Sequence, residues 1–165
     1  LMHGNRDFLM GSDFEKKTGA VLLDDPTLVE IYGKKVLLGH GDNLCTDDIE
    51  YQSFREKIRS ESWKNEFLKK SLSERISIAN EFRKESELNK KNKSMEIMDV
   101  NNEEVNQTLI RFNYPDFFIH GHTHRPNRHS IWLDGHEIQR IVLGDWYEHG
   151  SYLSFNANGI ETHQI

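Results

Sequence analysis

The chain has 165 residues, 29% of them charged, a net charge of −6 and one cysteine. That length supports a domain with its own core, and the acidic balance argues against a nucleic-acid-binding surface. Cys45 alone excludes an internal disulfide, which points to a reducing compartment such as the cytoplasm, and the absence of an apolar run of about 18 or more residues predicts no transmembrane helix.

The chain opens on a polar block, His3-Gly4-Asn5-Arg6-Asp7. Val21-Leu22-Leu23 and Leu28 to Tyr32 read as short strands, followed by a turn at Gly33-Lys34-Lys35. Val36-Leu37-Leu38 is continuously apolar, the pattern of a strand buried on both faces. It delivers Gly39-His40-Gly41-Asp42 at its C-terminal end, where functional groups gather in layered α/β folds. Thr46-Asp47-Asp48 supplies an N-cap and first-turn acids, opening a helical region from Ile49 to about Leu88. Within it Trp63, Phe67, Leu68, Leu72, Ile76, Ala79 and Phe82 recur at helical spacing. A polar tract, Asn89 to Lys93, leads to a second helix from Ser94 to about Phe112, which Tyr114-Pro115 ends. Cys45 reads as a small buried residue near a turn; no histidine base adjoins it.

Asp116 to His120 reads as a strand. The remainder is β in pattern: Ser130 to Leu133, a turn at Asp134-Gly135, His136 to Leu143, then Tyr152 to Phe155 and Ile160 to His163 around Asn158-Gly159. The order predicts an α/β (α+β) protein, a β-sandwich with helices outside, interrupted by a helical insertion over about residues 48–93.

The densest chemistry lies in Phe118-Ile119-His120-Gly121-His122-Thr123-His124-Arg125-Pro126. Clustered imidazoles suit a transition-metal site. Residues two apart on an extended backbone share a side, so His122 and His124 are expected to reach toward one point. Gly121 admits a close approach.

The three blocks G-N-x-D/E, G-H-x-x and G-H-x-H, each after an apolar run and in this order, resemble signature blocks of the calcineurin-like metallophosphoesterases. The wording between the blocks is more specific. His3-Gly-Asn-Arg-Asp-Phe-Leu, His40-Gly-Asp-Asn-Leu-Cys-Thr-Asp-Asp, Tyr51-Gln-x-Phe-Arg, Lys93-Ser-Met-Glu-Ile-Met-Asp-Val, His120-Gly-His-Thr-His-Arg-Pro and Val142-Leu-Gly-Asp-Trp resemble the UDP-2,3-diacylglucosamine pyrophosphatases over nearly the whole chain. The resemblance implies the four-layer αββα sandwich of that family. It also implies hydrolysis of the pyrophosphate of UDP-2,3-diacylglucosamine by metal-activated water at the α-phosphorus, in lipid A biosynthesis. The products would be UMP and 2,3-diacylglucosamine 1-phosphate.

Residue by residue, the resemblance makes Asn5, His40 and His122 ligands to one ion and His124 a ligand to a second. Two Mn²⁺ ions are implied, with Zn²⁺ and Fe²⁺ suited to the same donors. Arg6 and His122 take catalytic roles, a guanidinium beside a phosphate being able to bind its oxygens in pairs. Asn5, Arg6, Asp48, Tyr51, Ser86, Lys90, Lys93 and His122 resemble substrate contacts. His120 reads as a hydrogen-bonding support of the site. Two earlier family blocks, D-x-H and G-D-x-x-D, do not lie within the chain. The expectation is therefore a C-terminal part of a longer protein, inactive alone.

From Lys64 to Lys93 there are nine Lys or Arg against five Glu. A basic, aromatic-bearing helical patch suits peripheral contact with the cytoplasmic face of the inner membrane; i,i+4 pairing on a solvated face explains the same charges. Likewise the Trp63/Phe67/Leu72/Ile76/Phe82 series suits either an acyl pocket or a helical-hairpin core. Two other readings remain: a different metallophosphoesterase acting on nucleotide polyphosphates, and a metallophosphoesterase-like binding scaffold without catalysis. The intact ligand positions argue against the scaffold.

Overall fold

The computed structural model describes residues 1–94 and 96–165, with the side chains of residues 90–92 left out. It separates into two compact units, one formed by Leu1–Leu44 with Val100–Ile165 and the other by Cys45–Asp99.

The first unit is built on a five-stranded sheet. In chain order its elements are helix α1 (Ser12–Thr18), strands β1 (Thr27–Ile31) and β2 (Lys34–Gly39), a 3₁₀ turn at Asp42–Leu44, a helix at Asn102–Arg111, then β3 (Phe117–His120), β4 (Asn127–Leu133) and β5 (His136–Val142). The sheet order is β1-β2-β3-β5-β4, with β2, β3 and β5 parallel and each edge closed by an antiparallel hairpin partner. A separate hairpin, β6 (Ser151–Asn156) and β7 (Gly159–Gln164), completes the unit.

The central strands are the apolar ones, as a parallel core requires. Val36 and Leu37 are fully buried, as are Phe118 and Ile138 to within 1%. Leu37, Phe118 and Ile138 pack with Leu44, Val105 and Leu109, the last two being the inward face of the Asn102–Arg111 helix. Each such side chain contributes roughly 1.5–3 kcal/mol through burial. The edges carry the tight turns: Tyr32-Gly33 and Asp134-Gly135 have positive φ at both positions, the two-residue turn that matches strand twist. Asp116 ties the start of β2 to that of β3 by accepting the Lys35 N–H and pairing with Lys34. In register, Gly39 stands beside His120 and His120 beside Val142. Three parallel strands therefore release their chains at one edge of the sheet, and each exit leads into a polar loop.

The second unit is helical: α2 (Ile49–Arg59), α3 (Glu61–Leu68) and α4 (Leu72–Asn92). Serines start two of them. Ser60 accepts from the Trp63 N–H, and Ser71 forms a reciprocal box with Glu74. The Asn102–Arg111 helix is hereafter α5. Among the described residues no helix is long and apolar enough to cross a membrane.

Several sequence expectations are corrected. The helical region from Ile49 is three helices, because Ser60 and Ser71 adopt extended backbone and cap new helices instead of continuing the old. The second helix begins at Asn102, not Ser94: Asn101 caps it, accepting from the Glu103 and Glu104 N–H groups. Val21–Leu23 is no strand, only an isolated bridge between Met2 and Leu23. Helix α1 was not anticipated; it has no side-chain N-cap, and it ends on Gly19 in the left-handed region. The final hairpin closes on residues 157–158, with Gly159 already paired to Asn156.

Candidate metal centre

In the first unit the loops leaving β2 and β3 bring two imidazoles together. The His40 and His122 rings are 5.1 Å apart between centres and inclined at 70°. His40 follows β2 directly, and its backbone N–H donates to the Asp25 carboxylate at 2.9 Å. The Asn5 loop lies against the same ring. A Cβ on Gly4 would stand 3.2 Å from His40 Cε1, a tight contact. The Asp7 carboxylate accepts the Gly4 N–H and closes this turn, leaving Asn5 and Arg6 exposed. Gly4, His40 and His122 are thus brought together although 118 positions separate the first from the last.

The segment after β3 is not extended, so strand alternation does not set the directions of His122 and His124. Both residues have positive φ, 66° and 55°. The alternation rule for strands does not apply to left-handed backbone, and each ring has its own neighbours. His122 faces His40, whereas His124 Nδ1 lies 3.6 Å from the Asp145 carboxylate and its ring meets Tyr147 edge-on. Asp145 reaches this position because β5 ends beside β3. The alternation argument could not foresee it; its only sequence signal was the Gly144-Asp145-Trp146 wording after a predicted strand. A cavity of about 450 Å³ opens on this side, bounded by His124, Asn127, Asp145, His149 and Tyr152.

The donors present suit one side of a metal shell. Imidazoles that share an ion, with metal–nitrogen distances of about 2.1 Å, place their ring centres roughly 5 Å apart, which is the His40–His122 spacing. Asn5, next in sequence to Gly4, is by type a neutral oxygen donor. Among the described residues no three His, Cys, Asp or Glu side chains converge to hold an ion unaided, so further donors are needed to complete it.

His120 is turned the other way. Its ring is fully buried, with Nε2 3.2 Å from Arg140 Nη1 and Nδ1 3.1 Å from the Gly121 carbonyl oxygen. Neither Arg140 nor Asp25 carries a signal in a single sequence, since the contact that gives each its place spans 15 or more positions.

The second unit gathers a different set. Asp48 caps α2, accepting the Tyr51 N–H at 3.0 Å, and its carboxylate pairs with Lys93 at 2.5 Å. Lys93 also reaches Glu50 at 3.1 Å. Burial works against the Lys93 charge, but the hydrogen bonds to Asp48 and Glu50 outweigh it and raise its pKa above the usual lysine value of 10.5. Asp48, Tyr51 and Lys93 therefore share one corner. Ser86 is half-buried on α4, and the Lys90 side chain lies outside the described residues. Phe54, Trp63, Phe67 and Phe82 form a stacked and edge-on cluster. Leu68, Leu72 and Ile76 are excluded from it and are 48%, 65% and 52% exposed.

A mixed α/β sheet with paired imidazoles at the exits of its parallel strands places the chain among α/β proteins with a histidine-rich site. No family model matches it. Curated relatives do. The UDP-2,3-diacylglucosamine hydrolase of Marinobacter nauticus is 47% identical over 158 residues, which cover 96% of this chain and 64% of the relative. That of Stenotrophomonas maltophilia is 44% identical over 166 residues, covering 96% and 66%. That of Xanthomonas campestris pv. campestris is 41% identical over 172 residues, covering 100% and 69%. The chain spans about two thirds of the length of these relatives. It belongs to the UDP-2,3-diacylglucosamine hydrolase family.

Proposed function

We propose that the whole protein hydrolyses the pyrophosphate of UDP-2,3-diacylglucosamine to UMP and 2,3-diacylglucosamine 1-phosphate, a step of lipid A biosynthesis. The observation that carries the reading is the His40–His122 pair beside the Asn5 loop, in a chain whose relatives are named for this substrate. The sheet and hairpin are then part of a metallophosphoesterase αββα sandwich, with about residues 48–93 as its inserted helical cap.

His40, His122 and Asn5 hold one divalent ion and His124 takes part in holding a second, Mn²⁺ being favoured. When bound, such a pair neutralises charge on the phosphoryl group and activates water. Asp145, beside His124, orients that ring. Arg6 is exposed next to Asn5, where its guanidinium binds phosphoryl oxygens in pairs. Lys93, Asp48 and Tyr51, with Ser86 and Lys90, contact the sugar and phosphate. Exposed Leu68, Leu72 and Ile76 among Lys69, Lys70 and Arg75 suit acyl chains and an anionic lipid surface. The location is the cytoplasmic face of the inner membrane.

The test is UMP release by the whole protein from UDP-2,3-diacylglucosamine in detergent, with and without Mn²⁺. Metal-dependent release that disappears in His122→Ala is expected. Hydrolysis of a soluble nucleotide diphosphate in its place overturns the lipid substrate while keeping the site.

A further inference from the structure

We infer that Arg140 and His120 form a buried positioning pair that sets the backbone on which His122 is mounted, with His120 locked as its Nδ1–H tautomer. The inference rests on His40 and His122 being ligands of one ion.

The direction of each hydrogen bond follows from chemistry. Arg140 is 7% exposed and lies on β5, two strand positions before the end that neighbours His120. A guanidinium carries donors only. At 3.2 Å its Nη1 therefore donates to His120 Nε2, which must be the bare nitrogen of the ring. The ring proton is then on Nδ1, and at 3.1 Å it is donated to the Gly121 carbonyl oxygen. That carbonyl belongs to the peptide joining Gly121 to His122. The orientation of this peptide plane is one half of what defines φ at His122.

His122 needs such help. Its φ of 66° is a conformation that costs a residue with a side chain about 1 kcal/mol or more, so surrounding contacts must hold it. The Gly121 N–H supplies a second anchor, donating to the His40 carbonyl at 3.0 Å. One line of hydrogen bonds thus runs from Arg140 through His120 and Gly121 to the backbone of His40; His40 at its end and His122, next after Gly121, carry the two rings that face each other at 5.1 Å. Gly41 roofs it: a Cβ there would fall 2.8 Å from His120 Nδ1 and 3.1 Å from the Gly121 oxygen. Water and side chains are kept off the bond that aims His122.

The experiment measures Mn²⁺ affinity of the whole protein and of two His120 variants. His120→Phe keeps the ring volume and loses both nitrogens. His120→Asn keeps a donor where Nδ1 stood. Supporting results are Mn²⁺ binding weakened about 10- to 100-fold in His120→Phe and restored to within about threefold of the parent in His120→Asn. Parent-like affinity in both variants overturns the pair and leaves the ligand assignment standing. If the parent's Mn²⁺ binding is insensitive to His40→Ala, the ligand assignment falls and this inference falls with it. Because His120→Phe removes an acceptor from a buried guanidinium and threatens the fold, the tautomer is also read directly. Two-bond ¹⁵N–¹H spectra of the metal-free parent should show His120 protonated at Nδ1 and bare at Nε2; a proton on Nε2 refutes the proposal.

Discussion

Lys93→Met tests whether the Asp48–Lys93 contact supports the helical unit. The pair is well shielded, with 17% of the Lys93 side chain and 11% of the Asp48 side chain exposed. Removing one partner of a buried pair costs about 3–5 kcal/mol because the other charge is left uncompensated. Residual exposure, and the Tyr51 N–H still donated to Asp48, put this case at the lower end, about 3 kcal/mol. Glu50 adds little, since its side chain is 79% exposed. For a protein of this size that is a fall of roughly 6–12 °C in Tm. The double variant Asp48→Asn/Lys93→Met removes both charges yet keeps an N-cap acceptor for Tyr51, and should melt within about 1 kcal/mol of the parent. Circular dichroism melts of parent, single and double variants decide the matter. A single variant as stable as the double would refute the reasoning, leaving Lys93 with no structural role. The pH dependence has a definite sign. Lys93 is raised above its unfolded value, so its stabilisation is complete below about pH 10.5 and is lost as pH rises through the folded pKa. The gap between parent and Lys93→Met should stay constant from neutral to mildly alkaline pH and close only in strong alkali.

Phe118→Ala, at 1% exposure in the centre of the sheet core, should cost about 3–5 kcal/mol in urea unfolding; a loss below about 1 kcal/mol would mean the core is not centred there. Gly41→Ala should cost about 2 kcal/mol or more, since φ is +105° and the new Cβ would press on His120, and a parent-like Tm would contradict that geometry. Glu74 is held below the usual carboxylate pKa by its side-chain and backbone hydrogen bonds to Ser71. Its contribution to the start of α4 is therefore present at neutral pH and fades as the medium turns acid, so Glu74→Gln should matter less at pH 3 than at pH 7 by circular dichroism. In the whole protein Arg6→Ala should lower kcat far more than Tm, and equal loss of both would remove it from the site.

Much of this was legible in the residues themselves. The apolar runs Val36–Leu38 and Phe118–Ile119 announced central strands because a strand covered on both faces cannot afford polar side chains. The polar blocks behind them stand where those strands end and side chains are released from the sheet. Asp134-Gly135 predicted its own hairpin, because so few residue pairs accept positive φ twice. Helix ends were read poorly. Ser60 and Ser71 look like ordinary helix-surface positions until their backbones turn extended and their hydroxyls cap new helices. The His122 and His124 directions do not follow from alternation for a related reason: alternation holds for extended chain, and the loop is left-handed.

The sequence by itself therefore determined the main classes of element and the family to which the chain belongs. Those depend on local periodicity and on side-chain chemistry. Only the tertiary structure decided which residues meet: that His122 turns to His40 while His124 turns to Asp145, and that Arg140 stands behind His120. Such contacts are made across adjacent strands between residues 20 or more positions apart. Strand order and register set them, and neither is written in the neighbourhood of any one residue.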